Sequence, residues 1–483
     1  MKIADALNSL DLGSSVAEFD QMIDRHFVMT SAFQDLIDNR GDIIAGDKGA
    51  GKTTIYKYLQ QKYTSIPQLK NVEVVAGFNP SGNPVFRKLI QPTPYSEGQY
   101  QAFWKAYMLS LVGNWLLRIC DGEFKQNTKK LDTLLFRSGL RSKDISVETI
   151  FSRLNKTFRR LICPTSAGIE LGIDESGLPA ITPKLDFGSS DDMEPGGDDT
   201  WDYDEGLAIL NSALKENDIT VWVLLDRLDE AFTGYSDIER PALRALLRVY
   251  LDFLAFDRIG LKLFVRKDLF RKIVQGGFVN LSHISARKIE IIWDQEDLFA
   301  LLCRRIKSSE DFLRQLPLIS PTDKEVFATI FPEKLSGNRS TWKWMLSQIR
   351  DGNQFVAPRN LVDFVNLAIE EQARHESRNP REYNIETPMI EVESLKRALT
   401  RLSRKRVEDT LLAEATDDIA VLIKGFRGHK AEQNDETISN IFRVPPTQAK
   451  DFAEILVNIG FFERNKEGYK IPMLYRSGLE IKD

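Results

Sequence analysis

A single glycine-rich segment constrains the fold of this chain more than any other part of its sequence. Residues 46–53 read Gly-Asp-Lys-Gly-Ala-Gly-Lys-Thr and match the pattern G-x-x-x-x-G-K-[ST]. An apolar run at 42–45 precedes the segment and an amphipathic run at 54–59 follows it, which is the strand and helix context that a phosphate-binding loop requires. The sequence therefore predicts an α/β domain that binds a nucleotide.

The residue types in this loop fit the chemistry of phosphate binding. We expect the glycines at 46, 49 and 51 to let the backbone curl, so that its amides and the positive end of the next helix surround the β- and γ-phosphates. Lys52 can neutralise phosphate charge, and the Thr53 hydroxyl can ligate Mg²⁺. The predicted nucleotide-binding residues are Gly46, Asp47, Lys48, Gly49, Ala50, Gly51, Lys52, Thr53 and Thr54.

Composition excludes several other classes of protein. The chain has 483 residues, a formal net charge of -5 and 42% hydrophobic residues, which fits two or three folded domains. No apolar run reaches membrane length and the N-terminus does not read as a signal peptide, so we predict a cytoplasmic protein that makes no membrane contact. Its 3 cysteines and 4 histidines are scattered, and neither a zinc site nor a histidine-based active site is expected.

Apolar runs that alternate with helical patterns predict the rest of the nucleotide-binding domain. Strands are expected at 72–78, 219–225, 261–265 and 288–292, with helices between them. This alternation predicts a doubly wound parallel sheet that binds its ligand at the carboxyl ends of the strands.

An insertion at about residues 120–205 interrupts this alternation. It contains predicted helices near 133–138 and 147–162, a hairpin that includes the alternating run 168–173, and an acidic, glycine-containing loop at 189–199. We interpret the acidic loop as solvated rather than as a metal site.

The strand predicted at 219–225 is followed by acidic residues that complete a nucleotide site. Asp226 lies at the expected tip of the strand, where a carboxylate can hold Mg²⁺ through water. Asp229 or Glu230, further along the chain, can orient or deprotonate the attacking water. The sequence does not choose between these two acids, although we lean slightly towards Glu230.

Two arginines are candidates for contact with the terminal phosphate. Arg266 follows the next predicted strand, and the alternative for it is an ion pair with Asp268 or Glu230. Arg359 follows a proline at the start of a helix with an apolar face, and the alternative for it is a solvated position. Both pairs of alternatives stay open at this point.

Four motifs in this order resemble the STAND and AAA+ branch of the P-loop ATPases, which includes NACHT and origin-recognition relatives. They are G-D-K-G-A-G-K-T at 46–53, L-L-D-R-L-D-E at 224–230, F-V-R-K-D at 264–268 and A-P-R-N-L-V-D-F at 357–364. The chain looks most like a bacterial family of stand-alone STAND-like ATPases, many of which are encoded near mobile elements or phage-defence genes.

The resemblance implies a role for several residues. It implies ATP rather than GTP as the ligand, with Lys52 and Thr53 as Walker A residues and Asp226 as the Walker B residue. It also implies Arg266 as sensor 1 and Arg359 as sensor 2. An arginine finger that acts between copies of the chain is left unassigned, and its candidates are Arg240, Arg244, Arg248, Arg258, Arg304 and Arg305.

The C-terminal region has the pattern of a winged helix. Helices are predicted at 391–402, 404–415, 417–426, 435–441 and 447–459, followed by a two-stranded wing within 460–471.

Charge argues against duplex DNA as the main partner of this region. Residues 401–483 contain equal numbers of basic and acidic side chains, and the candidate recognition helix carries Lys450, Asp451 and Glu454. The basic side chains of the wing are Arg464, Lys466 and Lys470. We therefore favour packing on the ATPase or binding to a protein partner. We interpret the basic cluster 401–406 as a solvated helix face, with nucleic-acid binding as the alternative.

Together these patterns predict the fold class and the domain organisation. The fold class is α/β, a P-loop ASCE parallel sheet with flanking helices, followed by a helical lid and a C-terminal winged-helix domain. We place the ATPase domain at 1–310, the lid at 311–385 and the winged helix at 386–483.

The function we expect is that of a switch that binds and hydrolyses ATP with Mg²⁺. The switch would control homo-oligomer assembly or recruit a separately encoded protein effector, in antiviral defence or in a DNA-associated process, and this use rests on analogy alone. One alternative is a DNA-binding loader or motor that uses the winged helix. Another is a scaffold that holds nucleotide without hydrolysing it.

Overall fold

The computed structural model describes residues 1–77, 95–143, 146, 149–150, 154, 169–173, 179–183, 185–186, 200–232, 236–317, 320–335, 338–412 and 417–482. Contacts divide the chain into two compact units. The sheet unit comprises Ser31–Asp47 and Lys52–Ile291, and the helical unit comprises Met1–Thr30, Lys48–Gly51 and Ile292–Asp483. The domain boundaries at 310 and 385 stay predictions.

A parallel sheet forms the centre of the sheet unit. The strands of this unit are, in chain order, β1 (Ile43–Gly46), β2 (Val72–Ala76), β3 (Ile169–Ile173), β4 (Pro179–Pro183), β5 (Leu185–Asp186), β6 (Thr200–Trp201), β7 (Thr220–Leu225), β8 (Ile259–Arg266) and β9 (Lys288–Glu290). The central sheet has the order β2-β7-β8-β1-β9, and its neighbouring strands are all parallel. The predicted doubly wound parallel sheet is confirmed, with β8 between the P-loop strand β1 and the strand β7 that precedes Asp226.

Helices that bury apolar side chains flank this sheet. They are Ser31–Ile37, Lys52–Lys62, Glu97–Ile119, Gln126–Arg137, Tyr203–Glu216, Ser236–Phe253, Lys267–Val274 and Leu281–Ala286. The long helix Glu97–Ile119 begins with a capping box between Ser96 and Gln99. Within it Trp104 is fully buried, and its indole N–H donates to the carbonyl of Ala242 at 2.9 Å. Burial of each such large apolar side chain contributes about 1.5–3 kcal/mol.

The insertion is described only in part. Helices Gln126–Arg137 and Tyr203–Glu216 contact each other and the long helix Glu97–Ile119. Strands β3 and β4 pair antiparallel, which confirms the hairpin predicted around 168–173. The acidic loop predicted at 189–199 and most of the helix predicted at 147–162 lie outside the described residues.

The last central strand is shorter than its apolar run suggested. A strand was expected over 288–292, whereas β9 ends at Glu290. Ile291 is still buried and its N–H donates to the carbonyl of Ala45 at 2.8 Å, but Ile292 is 62% exposed. The apolar run therefore extends past the last residue of the strand, because hydrophobicity alone does not define where the hydrogen bonds between two strands end.

The helical unit has a separate hydrophobic core. Its helices are Ile3–Ser9, Ile23–His26, Gln295–Ser308, Glu310–Leu313, Asp323–Ile330, Thr341–Ile349, Pro358–Glu376, Val392–Arg406, Asp417–Gly425, Asp435–Phe442, Pro446–Asn458 and Met473–Arg476. Its strands are β10 (Lys334–Leu335), β11 (Arg339–Ser340), β12 (Glu432–Gln433), β13 (Glu463–Arg464) and β14 (Tyr469–Lys470). No helix in the described part of the chain is long and apolar enough to cross a membrane.

The N-terminal residues pack in the helical unit, although the sequence placed them in the ATPase domain. Ile3 is fully buried, and its N–H donates to the carbonyl of Arg381 at 3.0 Å. The helix Ile3–Ser9 contacts the helix Pro358–Glu376. A long-range pairing of this kind is invisible to a local sequence pattern.

The C-terminal residues form a winged helix, as predicted. Strands β12, β14 and β13 make a small antiparallel sheet, and the wing turns where the N–H of Asn465 donates to the carbonyl of Gly468 at 3.0 Å. Two details differ from the expectation. The helices predicted at 391–402 and 404–415 are one helix as far as Arg406, followed by a π-helical turn at Val407–Leu412. Strand β12 was missed, because it pairs with β14 across a long stretch of sequence and no adjacent turn marks the pairing.

Candidate functional site

The glycine-rich loop has the expected shape at two of its three glycines. Gly49 has φ +75° and Gly51 has φ +97°, a left-handed conformation that a side chain disfavours. Gly46 instead ends strand β1, so the expectation that it also curls the backbone is wrong. The helix Lys52–Lys62 begins directly after the loop, and its apolar residues Ile55, Tyr56 and Leu59 are buried.

Lys52 is held inside the loop by main-chain oxygens. Its ammonium group donates to the carbonyls of Gly46 at 2.9 Å and Asp47 at 3.0 Å. Burial lowers the pKa of this lysine, while the nearby charges of Asp226 and Asp229 act in the opposite direction. A negatively charged ligand would offset the cost of burying this cation.

Asp226 presents a buried carboxylate with an unused oxygen. The residue is 1% exposed, and it accepts hydrogen bonds from the Thr53 hydroxyl and the Arg227 N–H. Its Oδ2 atom has no hydrogen-bond partner among the described residues. Burial raises the pKa of this carboxyl to about 6. A buried oxygen without a donor is rare, and a bound cation would satisfy it.

The donors available here suit Mg²⁺. Thr53 and Asp226 supply a hydroxyl and a carboxylate, both oxygen ligands of the kind that Mg²⁺ prefers. Within the described ranges, no group of three or more His, Cys, Asp or Glu side chains could hold a metal. Mg²⁺ is commonly held by one or two protein oxygens together with phosphate oxygens and water, so the small donor set fits this ion.

Arg266 lies beside the start of the loop and is bound to two carboxylates. It is paired with Gly46 in the register of β8 and β1. Its guanidinium contacts Asp268 at 2.7 and 3.0 Å and Asp229 at 3.3 Å. The ion pair with Asp268, the alternative raised from the sequence, is present in the structure. The role of Arg266 as sensor 1 stays a prediction.

The two candidate water-activating acids differ in their surroundings. Asp229 is held by Arg266, and its charge acts on both Lys52 and Asp226. Glu230 begins a short 3-10 turn, and its carboxylate pairs with Arg227 at 3.2 Å. Of the two acids, Asp229 is the one whose charge contributes to the pKa shifts of Lys52 and Asp226.

Within the helical unit, Arg359 lies against the tip of the loop. A Cβ built on Gly49 would be 3.3 Å from the Cβ of Arg359 and 3.4 Å from the Cβ of Ala357. Arg359 is in the first turn of the helix Pro358–Glu376, which begins with proline as predicted. Its guanidinium makes no hydrogen bond or ion pair with any residue that the structure describes, whereas Arg266 makes several.

Sequence reasoning missed two neighbours of the loop. The indole N–H of Trp293 donates to the carbonyl of Ala50 at 2.8 Å. The ammonium of Lys267 lies 3.4 Å from the Asp47 carboxylate and 3.2 Å from that of Glu290. Lys267 directly follows Arg266 in the motif at 264–268, which was the available signal. Trp293 carried no signal beyond its place after an apolar run.

The candidate arginine fingers all have partners within the chain. Arg240 donates to the carbonyl of Gln275, Arg244 to those of Ile273 and Gly277, Arg248 to Glu97, Arg258 to Asp218, Arg304 to the carbonyl of Phe27, and Arg305 to Asp20. Any of them would have to leave these partners to act on another copy of the chain. The assignment of a finger therefore stays open.

The cations of the wing are partly neutralised by acids of the same domain. Arg464 pairs with Glu454, which lies on the candidate recognition helix. Lys470 lies 3.3 Å from Glu432 of strand β12. These pairs lower the positive charge that the wing could offer to a phosphate backbone.

The interpretation of the basic cluster 401–406 as a solvated helix face holds only in part, because Arg404 and Lys405 are exposed whereas Arg406 is buried. Arg406 is 6% exposed and contacts Asp363. Arg401 lies 2.8 Å from Glu370 and 2.9 Å from Glu371. Arg401, Lys405 and Arg406 bind acidic residues of the helix Pro358–Glu376. No local sequence pattern aligns these two helices.

Comparison with known proteins gives distant structural likenesses. No protein family and no curated protein matches the sequence. The chain is similar to a Walker-type ATPase of Pyrococcus abyssi, with 10% identity, a TM-score of 0.41 and coverage of 94% of this chain and 96% of the other. It is similar to the Orc1 protein of Aeropyrum pernix in complex with DNA, with 10% identity, a TM-score of 0.38 and coverage of 97% and 96%. The Orc2 protein of Aeropyrum pernix, in ADPNP and ADP complexes, matches with 12% identity, a TM-score of 0.38 and coverage of 92% and 88%. Likenesses this distant assign no activity to the chain.

Proposed function

We propose that this protein binds ATP with Mg²⁺ and hydrolyses the bond to the terminal phosphate. The observation that carries the proposal is the buried Oδ2 of Asp226, which has no partner among the residues that the structure describes, while the same carboxylate is hydrogen-bonded to Thr53 of the glycine-rich loop. A metal-binding acid next to a phosphate-binding loop is the combination that phosphoryl transfer from a nucleotide needs.

The binding residues follow from the loop. Amides of residues 46–54 and the ammonium of Lys52 would hold the phosphates, and Thr53 and Asp226 would hold the metal. When bound at Thr53 and Asp226, Mg²⁺ would supply positive charge that offsets the negative charge developing on the phosphate oxygens. In this scheme Lys52 exchanges its two carbonyl acceptors for phosphate oxygens, which are the stronger acceptors.

Asp229 is the residue we propose for activating water. The water oxygen attacks the terminal phosphorus as the bond to the bridging oxygen of ADP breaks, and Asp229 accepts the proton before it passes to the released phosphate. The ion pair with Arg266 holds the Asp229 carboxylate in place. Glu230, which pairs with Arg227 in the same way, serves as the matched comparison.

Arg359 completes the proposed contacts with the nucleotide. Its stem lies against Gly49, and its guanidinium has no partner in the described part of the chain. An arginine that is unpaired beside a phosphate-binding loop is suited to a ligand with negative oxygens. This supports the assignment of Arg359 as sensor 2.

The wider role we propose is that of a STAND-like switch, in which nucleotide state controls assembly or the recruitment of a separately encoded partner. A use in antiviral defence rests on the sequence resemblance alone. The neutralised wing cations give no support to a DNA loader as the main function.

The test is Mg²⁺-dependent release of phosphate from ATP by the full chain. We expect activity in the parent, loss of turnover with retained ATP binding in Asp229→Asn, and near-parental turnover in Glu230→Gln. Loss of turnover in Glu230→Gln alone would reassign the base to Glu230. If the parent binds ATP but releases no phosphate, the protein is a scaffold that holds nucleotide. If the parent hydrolyses ATP, a pull-down with ATP-loaded Asp229→Asn identifies the partner of the ATP-bound state.

A further inference from the structure

The strongest feature that the proposed function leaves unused is a row of ion pairs between two helices of the helical unit. The helix Pro358–Glu376 carries Arg359 in its first turn, and the helix Val392–Arg406 leads into the winged helix. Acidic residues of the first helix meet the basic cluster 401–406 of the second. The contact between these helices is therefore electrostatic as well as apolar.

Asp363 is the most densely bonded residue in this row. One of its oxygens accepts from the Ser15 hydroxyl at 2.8 Å and lies 3.4 Å from the ammonium of Lys405. Its other oxygen accepts from the guanidinium of Arg406. Asp363 and Arg406 are 8% and 6% exposed. Three segments that are distant in sequence thus meet at one buried carboxylate.

This buried pair is poorly explained by stability alone. Desolvation of two charges commonly costs as much as their attraction returns, so a buried ion pair is weak evidence for stabilisation. The Nε atom of Arg406 is also buried without a partner among the described residues. Because the pair is costly to bury, we expect it to have a role in holding neighbouring residues in position.

The position of Asp363 supplies one. It lies four residues after Arg359, and therefore about one helical turn away on the same face. The Arg406 guanidinium that binds Asp363 is also 3.5 Å from the main-chain oxygen of Arg359. Arg406 thus holds the first turn of the helix from two points and leaves the side chain of Arg359 unbound.

The other partner of the pair is tied to the winged helix. In the helix Val392–Arg406, the Ser403 hydroxyl accepts from the N–H of Gly478 at 2.8 Å. A substituent on Gly478 would meet the carbonyl of Ser403 at 2.7 Å, so the two segments are in close contact. A displacement of the helix that ends at Arg406 would therefore move the C-terminal segment with it.

We propose that Asp363 is a positioning residue for Arg359, and that its ion pair with Arg406 couples the nucleotide site to the winged-helix domain. The proposal rests on the proposed function, because it needs Arg359 to contact the bound nucleotide. When Arg359 engages a phosphate, the first turn of its helix shifts, and Arg406 passes the shift to the helix Val392–Arg406. Asp363 itself touches no phosphate.

A double-mutant cycle in the full chain tests the proposal. We expect Asp363→Asn to lower kcat for ATP hydrolysis by about 10- to 100-fold, because a displaced catalytic group has effects of this size. Adding Asp363→Asn to Arg359→Ala should cause no further loss, since both changes remove the same interaction. The matched control is Glu370→Gln. Glu370 lies on the same helix as Asp363 and forms an exposed ion pair with Arg401 of the other helix, so its loss should leave kcat and KM unchanged.

A second variant separates positioning from folding. Asp363→Asn leaves Arg406 and Lys405 without their carboxylate. Asp363→Leu combined with Arg406→Met removes both charges of the buried pair and so leaves no lone buried charge there. We expect this variant to unfold at a temperature close to the parent's and to keep the loss of kcat. Parental kcat in the folded variant, or losses that add to that of Arg359→Ala, would overturn the proposal.

The outcome distinguishes this inference from the function on which it rests. If the parent neither binds nor hydrolyses ATP, the proposed function fails and the inference fails with it. If the parent hydrolyses ATP and Arg359→Ala is impaired, while the Asp363 variants act additively, only the inference fails.

Discussion

The hydroxyl of Thr53 donates a hydrogen bond to the buried carboxylate of Asp226. Thr53 lies in the first turn after the glycine-rich loop, and Asp226 directly follows β7, which is separated from β1 by one strand. Because all these strands are parallel, their carboxyl ends meet at the same edge of the sheet. This contact joins the two halves of the proposed site.

Burial of the Asp226 carboxylate predicts that this residue lowers the stability of the protein without nucleotide, although it is needed for ATP hydrolysis. The pKa of this carboxyl rises from 3.8 to about 6, so the folded state binds its proton more tightly than the unfolded state. Ionisation therefore costs stability as the pH rises through this window, by about 3 kcal/mol at most. Asp226→Asn without nucleotide should melt at a higher temperature than the parent near neutral pH, and the difference should shrink towards pH 4.

The same variant should lose Mg²⁺-dependent ATP hydrolysis, because an amide is a poorer metal ligand than a carboxylate. Thermal melts at several pH values and a phosphate-release assay check the two halves of the prediction. A variant that is less stable than the parent near neutral pH would show that Asp226 is a structural acid.

The sequence predicts the elements of this site better than it predicts their contacts. A continuous apolar run located β7, and the motif placed Asp226 at its tip, because a strand buried on both faces has an unmistakable composition. The hydrogen bond from Trp293 to Ala50 and the cluster around Asp363 were not predictable. They join segments that are distant in sequence, and no local periodicity reports on such contacts.

Trp293 predicts a second effect on nucleotide binding. Its indole holds the carbonyl of Ala50 at the tip of the loop, and Trp293→Phe removes that hydrogen bond while it keeps an aromatic ring. We expect ATP affinity to fall by about 2- to 10-fold, the equivalent of one ordinary hydrogen bond. Titration with a fluorescent ATP analogue measures it.

Trp342→Phe is the matched control, since Trp342 packs against Phe299 and Phe327 in the same unit. Equal affinities for the Trp293 and Trp342 variants would show that the indole hydrogen bond does not support the loop.

A buried ion pair in the sheet unit predicts a large loss of stability. The ammonium of Lys262 is buried and lies 2.6 Å from Asp42, and it also rests 3.9 Å from the centre of the Trp222 ring. Asp42→Asn would leave this cation without its carboxylate, at a cost of about 3–5 kcal/mol. Chemical denaturation followed by circular dichroism measures the change.

Asp218→Asn provides the comparison for this loss. Asp218 pairs with Arg258 at 3.1 Å, but its side chain is 91% exposed, so its removal should have little effect. If the two variants unfold at the same denaturant concentration, the buried ion pair between Lys262 and Asp42 contributes no more to the free energy of unfolding than the exposed pair does.

The wing predicts indifference to DNA. Since Arg464 and Lys470 already face Glu454 and Glu432, duplex DNA should neither bind with a steep salt dependence nor stimulate ATP turnover. Turnover measured with and without duplex DNA at two salt concentrations checks this. Stimulation that disappears at high salt would favour the DNA loader instead.

The measurement that tests the central claim most directly is equilibrium binding of ATP to Lys52→Ala. Its matched control is Lys130→Ala, which truncates an exposed lysine of the helix Gln126–Arg137. We predict that Lys52→Ala folds like the parent and no longer binds ATP, because the glycines set the shape of the loop and the lysine supplies the charge, while Lys130→Ala binds like the parent. Parental ATP affinity in Lys52→Ala would contradict the assignment of residues 46–53 as the nucleotide site.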